Sequence, residues 1–176
     1  MRRSTVVMLL ALAAFAALLL YNTLTSQRVE CRVVVEYEGR RNSARDHGDI
    51  DVLVRRSRDG GNTWSPPQTV ADLGLDTCGN PTVVQDRDTG TIWLLLSGNL
   101  GDDDEGAVIR GESRDTRRAD VTTSTDEGAS WSPPREITAQ VKTTEMRWYG
   151  TGQGIGIQLR DGPHRGRLLV PGAHRY

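Results

Sequence analysis

Two copies of one turn-forming pattern, SRDGGNTWSPP at residues 57–67 and STDEGASWSPP at residues 124–134, decide the fold of this chain. Each copy follows a run of residues that favours a β-strand. The Asp of the pattern can accept backbone N–H groups and hold a turn, and the Gly two positions later tolerates a positive φ. The Trp ring can pack over the hairpin, and the Pro pair is expected to stop strand pairing beyond it. We therefore predict that both copies are hairpin tips with structural aspartates.

The remainder of the chain predicts further strands, at residues 33–37, 49–57, 82–85, 91–96, 119–125, 155–159 and 167–170. The turn residues 86–90 between two of these runs predict a hairpin. Repeats of this size indicate a radial array, in which a four-stranded blade needs about 40–50 residues. Residues 27–176 are therefore predicted to be all-β, with about three blades of a β-propeller. Because a closed propeller has at least four blades, we expect this stretch to be part of a larger ring.

Charge and composition argue against several classes of protein. The 22 Lys+Arg and 23 Asp+Glu give a net charge of -1, which disfavours a nucleic-acid-binding protein. The histidines at positions 47, 164 and 174 and the cysteines at positions 31 and 78 lack metal-ligand spacing, so we predict no metal site. Cys31 and Cys78 can pair in an oxidising compartment, and the sequence leaves this open. The acidic run at residues 101–106 is predicted to be a solvated loop, because it lacks the EF-hand spacing of a calcium site.

The N-terminus carries the basic residues Arg2 and Arg3 ahead of an uncharged stretch at residues 6–21. This pattern is typical of a secretory signal peptide or a signal-anchor. We predict an apolar helix within residues 1–26 and an exported domain at residues 27–176. A helix over the uncharged stretch spans roughly 24 Å, less than the roughly 30 Å of a bilayer core, which favours a cleaved peptide. The lack of a clear Ala-x-Ala site leaves membrane attachment through residues 6–21 open, so the protein is expected to be secreted or membrane-anchored at the cell surface.

The repeated pattern is an Asp-box, and the chain from about Val33 to Pro171 resembles the sialidases (exo-α-neuraminidases). Beyond the two boxes, the resemblance rests on residues 38–41, 46–51, 79–81, 148–159 and 167–171. It implies a six-bladed β-propeller, of which this chain forms about the first three blades. It also implies an exo-α-sialidase that releases terminal sialic acids from glycoproteins, glycolipids or oligosaccharides with retention of configuration. In that family a tyrosine is the nucleophile, three arginines bind the sialate carboxylate, and no metal or cofactor is needed.

The resemblance also assigns roles to individual residues. Asp46 occupies the position of the family's acid/base aspartate and is predicted to be the general acid; its alternative is a solvated loop carboxylate. Asp49 and Asp51 are the alternatives, although Asp51 alternates with apolar neighbours as a strand residue does. Segments that border the family's pocket carry the predicted substrate-binding residues, each with a structural role as its alternative: Arg40, Arg41 and Asn80.

The chain also departs from the family pattern. The family's first carboxylate-binding arginine lies in an Arg-Ile-Pro motif, which does not occur here. The family commonly has Gly-Pro-Gly-His where residues 152–155 are Gly-Gln-Gly-Ile. The catalytic Glu, two further arginines and the nucleophilic Tyr are expected beyond residue 176. We therefore expect an incomplete copy of an exo-α-sialidase of unknown oligomeric state; the alternative is a non-catalytic Asp-box propeller fragment that binds a sugar or a partner.

Overall fold

A computed structural model describes residues 32–152 and 154–176. The predicted N-terminal helix, the leader at residues 1–26 and Cys31 lie outside these residues. Contacts between residues group Arg32–Tyr176 into one unit. None of the helices in the described part of this unit is long and apolar enough to cross a membrane.

The unit is all-β, as the sequence predicts, with two short helices. The strands are β1 (Val33–Arg40), β2 (Ile50–Ser57), β3 (Gln68–Ala71), β4 (Thr77–Gln85), β5 (Ile92–Asn99), β6 (Arg118–Ser124), β7 (Arg135–Glu136), β8 (Trp148–Thr151), β9 (Ile157–Gln158), β10 (Leu168–Leu169) and β11 (Gly172–Arg175). The helices are α1 (Glu105–Arg110) and α2 (Thr138–Val141). Helix α1 begins inside the acidic run at residues 101–106, so the prediction of a loop there is wrong for its last two residues. Asp104 caps the helix, because its Oδ1 accepts the Ala107 N–H at 2.7 Å.

The described strands form three antiparallel groups. In the first, β2 pairs with both β1 and β3, and in the second, β4 to β7 pair in sequence order. A single parallel pair, Ile50 with Thr77, joins these two groups into one sheet. The remaining strands form two separate two-stranded sheets, β8 with β11 and β9 with β10, which together are called the third group. The predicted hairpin around residues 86–90 is confirmed by the pairing of β4 with β5.

The core lies between β2 and β5, whose apolar side chains are almost continuously buried. Val52, Val54, Leu94 and Leu96 are each at most 1% exposed and form one cluster with Cys78. Burial raises the pKa of the Cys78 thiol to about 12. Residues 50–54 of β2 are all buried, so this strand is covered on both faces, whereas β5 alternates between buried and half-buried positions in its apolar half.

The first Asp-box forms the turn between β2 and β3. The Ser57 hydroxyl donates to Asp59 Oδ1 at 2.7 Å and accepts the Gly61 N–H at 2.7 Å. Both carboxylate oxygens of Asp59 accept from Thr63, one from its N–H at 2.9 Å and one from its hydroxyl at 2.6 Å. A Cβ added to Gly61, whose φ is 94°, would lie 3.6 Å from the Trp64 ring. The predicted turn is confirmed, with the Trp ring against it.

The second Asp-box repeats this geometry between β6 and β7. Ser124 donates to Asp126 Oδ1 and accepts from Gly128 N, both at 2.8 Å. Asp126 accepts from the N–H and the hydroxyl of Ser130 at 2.8 and 2.6 Å. The Trp131 ring, however, also packs against the core cluster.

The prediction that the Pro pair ends strand pairing is wrong. Strand β3 follows Pro66–Pro67 directly and pairs with β2, and β7 follows the second pair and pairs with β6. The two prolines occupy the return from the turn, where no ladder hydrogen bond is needed from their nitrogens, and pairing resumes after them.

Candidate functional site

An open cleft of about 720 Å³ lies where the strand groups meet, at the end of β1 and the starts of β4 and β8. It contains three of the four predicted site residues, Arg40, Asp46 and Asn80. A second cavity of about 510 Å³, lined by apolar residues such as Val33 and Val83 and by polar ones such as Arg56 and Gln158, contains none of them. The cleft is the candidate site because the predicted residues meet there, and their charged and amide groups are able to bind and protonate a polar ligand.

Arg40, the last residue of β1, holds the loop that carries Asp46. Its Nη2 lies 2.5 Å from Asp46 Oδ1 and 3.0 Å from Glu38 Oε2. Its Nη1 donates to the carbonyl oxygens of Ala44 and Arg45 at 2.8 and 3.1 Å. Hydrogen bonds to Asp46 and Glu38 raise the pKa of Arg40 above its usual value. The Asp46 side chain is 90% exposed, so its carboxyl group is accessible to a ligand in the cleft.

Asn80, in β4, is fixed in an unusual backbone conformation. Its φ is 51°, in the left-handed region that asparagine tolerates better than most residues. Its N–H donates to Glu38 Oε1 at 2.9 Å, and its carbonyl oxygen accepts from the Thr151 hydroxyl at 2.9 Å. The preceding Gly79 allows this contact, because a Cβ there would lie 2.5 Å from Glu38 Oε1. The backbone of Asn80 is therefore bound to β1 on one side and to β8 on the other.

Arg117, which the sequence analysis did not select, forms the floor of the cleft. It is only 2% exposed and donates from Nη1 to Asn99 Oδ1 and from Nη2 to Asn80 Oδ1. Its guanidinium carbon lies 4.0 Å from the centroid of the Trp148 ring, within the range of a cation–π interaction. No carboxylate of the described residues forms an ion pair with it, and burial lowers the pKa of Arg117 to about 10. The group is therefore a buried cation at neutral pH.

A signal for Arg117 is present in the sequence. Arg117, Ala119 and Val121 alternate with more exposed residues, and all three are buried on one face of β6 or its approach. In a run of five residues with three arginines, however, composition alone indicates a solvated segment. The adjacent Arg118 is such a residue, because it pairs with Asp115 at 2.7 Å.

Arg41, the fourth predicted site residue, is not among the residues that line the cleft. Its Nη2 and Nε lie 2.5 and 2.6 Å from Asp51 Oδ2. Asp51 lies in β2, as its alternation with apolar residues predicts, and it is only 2% exposed there, which the alternation does not predict. Asp49 accepts from the Asn42 side-chain amide at 3.2 Å. The structure thus brings Arg40, Asp46 and Asn80 together and places Arg41 with Asp51; the functional role of each residue stays a prediction.

The cleft combines an exposed carboxyl group, an amide and a buried cation beside an aromatic ring. Asp46 can exchange a proton with a ligand, and Asn80 can donate hydrogen bonds to it. Within residues 32–152 and 154–176, no group of three or more His, Cys, Asp or Glu side chains is placed to hold a metal ion. The chemistry available from these side chains is acid–base chemistry on a polar ligand.

Comparison with known proteins gives concordant matches. The family profile described as a BNR repeat-like domain matches residues 32–176. An exo-alpha-sialidase of Aspergillus fumigatus is 31% identical over 161 residues, which cover 82% of this chain and 38% of that protein. A sialidase of Micromonospora viridifaciens is 36% identical over 146 residues, covering 78% of this chain and 22% of that protein.

The solved structures agree in fold. The Hadza microbial sialidase Hz136 superposes with a TM-score of 0.71 at 31% identity, over 81% of this chain and 30% of that one. The leech intramolecular trans-sialidase, at 18% identity and a TM-score of 0.69 over 81% of this chain and 38% of that one, shares the fold. The chain therefore spans about two-fifths or less of the length of these relatives.

Proposed function

We propose that this chain, which belongs to the sialidase family of BNR repeat-like domains, supplies the general acid and one wall of the sugar site of an exo-α-sialidase. The observation that carries the proposal is the convergence of Arg40, Asp46 and Asn80, from separate segments, in one cleft. The ligand is proposed to be the terminal sialic acid of a glycoprotein, glycolipid or oligosaccharide.

In the proposed reaction, Asp46 donates its proton to the glycosidic oxygen as the bond from that oxygen to the anomeric carbon breaks. The sialyl group passes to the oxygen of a tyrosine, which sialidases use in place of a second carboxylate and which gives its proton to an assisting glutamate. Water, which gives a proton to Asp46, then takes the sialyl group from the tyrosine with retention, and the tyrosine regains its proton from the glutamate. An exposed position suits this role for Asp46, because the leaving group of a glycan chain must extend from the cleft into solvent. The nucleophile is proposed to come from the part of the relatives' length that this chain does not span.

The three antiparallel strand groups are proposed to be about the first three blades of a six-bladed propeller. The first strands of the groups, β1, β4 and β8, each contribute a residue to the cleft: Glu38, Asn80 and Trp148. This is the arrangement expected if those strands are innermost in successive blades and the site lies over the axis of the ring.

Two α-sialosides test the role of Asp46. A general acid matters more for an alkoxide leaving group, as in sialyllactose, than for an aryl leaving group such as 4-nitrophenol. In a sialidase completed by the segment that supplies the nucleophile, we expect Asp46→Asn to lower hydrolysis of sialyllactose by about 10²- to 10⁴-fold and that of the aryl sialoside much less. Asp49→Asn, in the same loop but bound to Asn42, is the matched control. Equal losses on both substrates would remove Asp46 from the acid role.

A second candidate is a non-catalytic Asp-box fragment that binds sugar, because Arg40 and Asn80 offer hydrogen-bond donors to the cleft. Calorimetric titration with N-acetylneuraminic acid separates the two functions. Binding without hydrolysis of either sialoside supports the second candidate, whereas hydrolysis that depends on Asp46 supports the first.

We further propose that residues 1–26 direct export and that the domain at residues 27–176 acts outside the cytoplasm. The support is the basic start followed by the uncharged stretch at residues 6–21. N-terminal sequencing of the protein recovered from medium and from membranes distinguishes a cleaved signal peptide from a retained anchor. Recovery of the intact chain only from the cytoplasm would contradict the proposal.

A further inference from the structure

We infer that Arg117 is a positioning residue that fixes the side-chain amide of Asn80, so that the NH₂ group of Asn80 is the donor offered to an acceptor oxygen of a sugar in the cleft. The inference rests on the proposed function in its choice of ligand, but the orientation of the amide does not depend on it.

The chemistry of arginine sets the orientation of the amide. A guanidinium has only donors, so the group of Asn80 that faces Arg117 Nη2 must be the oxygen. A flipped amide would put its NH₂ against the guanidinium and lose that bond. The two N–H bonds of Asn80 Nδ2 are therefore directed away from Arg117, and none of the described residues accepts from this nitrogen.

Neither partner is free to adjust. The N–H and the carbonyl oxygen of Asn80 are both bound, to Glu38 and Thr151. Arg117 is held from its other side by Asn99, whose own NH₂ group donates to the carbonyl oxygens of Leu100 and Asp103 at 2.9 and 3.0 Å. The same argument therefore fixes Asn99 with its oxygen toward Arg117. Asn99, Arg117 and Asn80 are therefore held in fixed orientations by one continuous set of hydrogen bonds, which ends at the NH₂ group of Asn80.

The direct contacts of Arg117 indicate a role other than pairing with a carboxylate. A buried arginine usually faces a carboxylate, yet the partners of this one among the described residues are two neutral amides and the Trp148 ring. A cation beside the amide oxygen of Asn80 draws electron density from its nitrogen and strengthens both N–H groups as donors. Such a donor recognises a carbonyl, carboxylate or hydroxyl oxygen of the sugar.

The first test needs no ligand. In ¹⁵N-labelled protein, the side-chain NH₂ signals of Asn80 are assigned by their loss in Asn80→Ala. We expect Arg117→Met to move these signals to the position of unrestrained asparagine amides, whereas Arg118→Met, which removes the adjacent arginine from its ion pair with Asp115, leaves them unchanged. Asn80 signals that do not move in Arg117→Met overturn the inference.

The second test is a double-mutant cycle on the affinity for N-acetylneuraminic acid, measured by NMR titration. We expect Arg117→Met and Asn80→Ala each to weaken binding about tenfold, and the double variant to be no weaker than either, because Arg117 acts through Asn80. A purely structural role would move the affinity in the same way without this coupling. Losses that multiply to about a hundredfold, or an Asn80→Ala variant that binds normally, overturn the inference.

If Arg117→Met does not fold, Arg117→Lys is used in both tests, since a single ammonium cannot reproduce the two-pronged contact with Asn80 and Asn99. If the wild-type chain does not bind N-acetylneuraminic acid, the proposed function fails and the ligand-free signals of Asn80 alone decide the role of Arg117.

Discussion

The two Asp-box serines provide a comparison of buried hydrogen bonds within one molecule. We predict that Ser124→Ala destabilises the protein more than Ser57→Ala, although the two hydroxyls make the same contacts. Each accepts a glycine N–H and donates to the box aspartate, at 2.7 to 2.8 Å. Each serine is also 2% exposed. The difference lies in the glycines, because Gly128 is buried whereas Gly61 is partly accessible to solvent.

The magnitude follows from what each N–H can do once the hydroxyl is gone. The N–H of Gly128 is left without a partner in a buried position, which costs about 1–3 kcal/mol. The substitution removes only the serine Oγ atom, so the cavity that it leaves adds little to the cost. Water can reach Gly61 and replace its partner, which brings the cost of Ser57→Ala to about 1 kcal/mol or less. In a chain of this length each kcal/mol of lost stability lowers Tm by roughly 2–4 °C, so Ser124→Ala is expected to give the larger fall in Tm.

Urea unfolding followed by tryptophan fluorescence measures both variants, since two of the four tryptophans belong to the boxes. Ser43→Ala is the control, because Ser43 is exposed and its hydroxyl accepts only from the Arg45 N–H at 3.3 Å. This control is expected to change stability by less than about 0.5 kcal/mol. If Ser57→Ala and Ser124→Ala lower stability equally, burial of the glycine N–H does not determine the cost of losing the hydroxyl.

Three further predictions concern the same scaffold. Trp131→Ala is expected to cost about 3–5 kcal/mol, because its ring packs on the core, and Trp64→Ala clearly less, because Trp64 is 36% exposed; urea unfolding compares them. Hydrogen bonds from the turn lower the pKa of Asp59 and of Asp126 from 3.8 to about 2. The two carboxylates therefore stabilise the folded protein fully above about pH 4, and this stabilisation is lost as the pH falls toward 2. Between pH 5 and pH 2, Tm should drop less in Asp126→Asn than in the wild type. Gln158→Ala is expected to cost about 0.5–1.5 kcal/mol in urea unfolding, because its amide binds the turn between β4 and β5 on one side and the loop before β10 on the other, through hydrogen bonds that are at most part-buried; an unchanged midpoint would contradict this.

The sequence predicted the central strands well and the third strand group less well. Strands β2 and β5 are marked by alternating or continuous apolar runs, which are hard to reconcile with another structure. Strand β11 is Gly-Ala-His-Arg and fully exposed, so it has no hydrophobic pattern to detect, and only its pairing with β8 defines it. Helix α1 carries a capping signal, because Asp104 and Gly111 are a typical N-cap and C-terminal glycine. The segment between them contains Gly106, Val108 and Ile109, which are weak helix formers, so the helix itself is poorly marked.

The candidate site was predictable only in part, and for a physical reason. Asp46, Arg40 and Asn80 were selected by their likeness to a family, and nothing in their local sequence indicates that they lie in one cleft. Their proximity is produced by the parallel pair of Ile50 with Thr77, a contact between groups that no local pattern encodes. Arg117 was missed because its alternation with Ala119 and Val121 lies in an arginine-rich run, whose composition indicates a solvated segment.

Strand direction explains why the box aspartates, the most regular acidic residues in the chain, do not enter the site. Strand β2 runs from Ile50, paired with Arg40 beside the cleft, to Ser57, paired with Val33 at the first box. At about 3.3 Å per residue, the first box lies roughly 23 Å from the cleft end of the strand. Strand β6 repeats this arrangement, since Arg117 in the cleft directly precedes it and the second box directly follows it. Each repeat thus has its turn-forming carboxylate at the end of a strand and the cleft at the start of the same strand. Catalytic groups are therefore expected in the loops that precede β2 and β6 and not in the Asp-boxes that follow these strands.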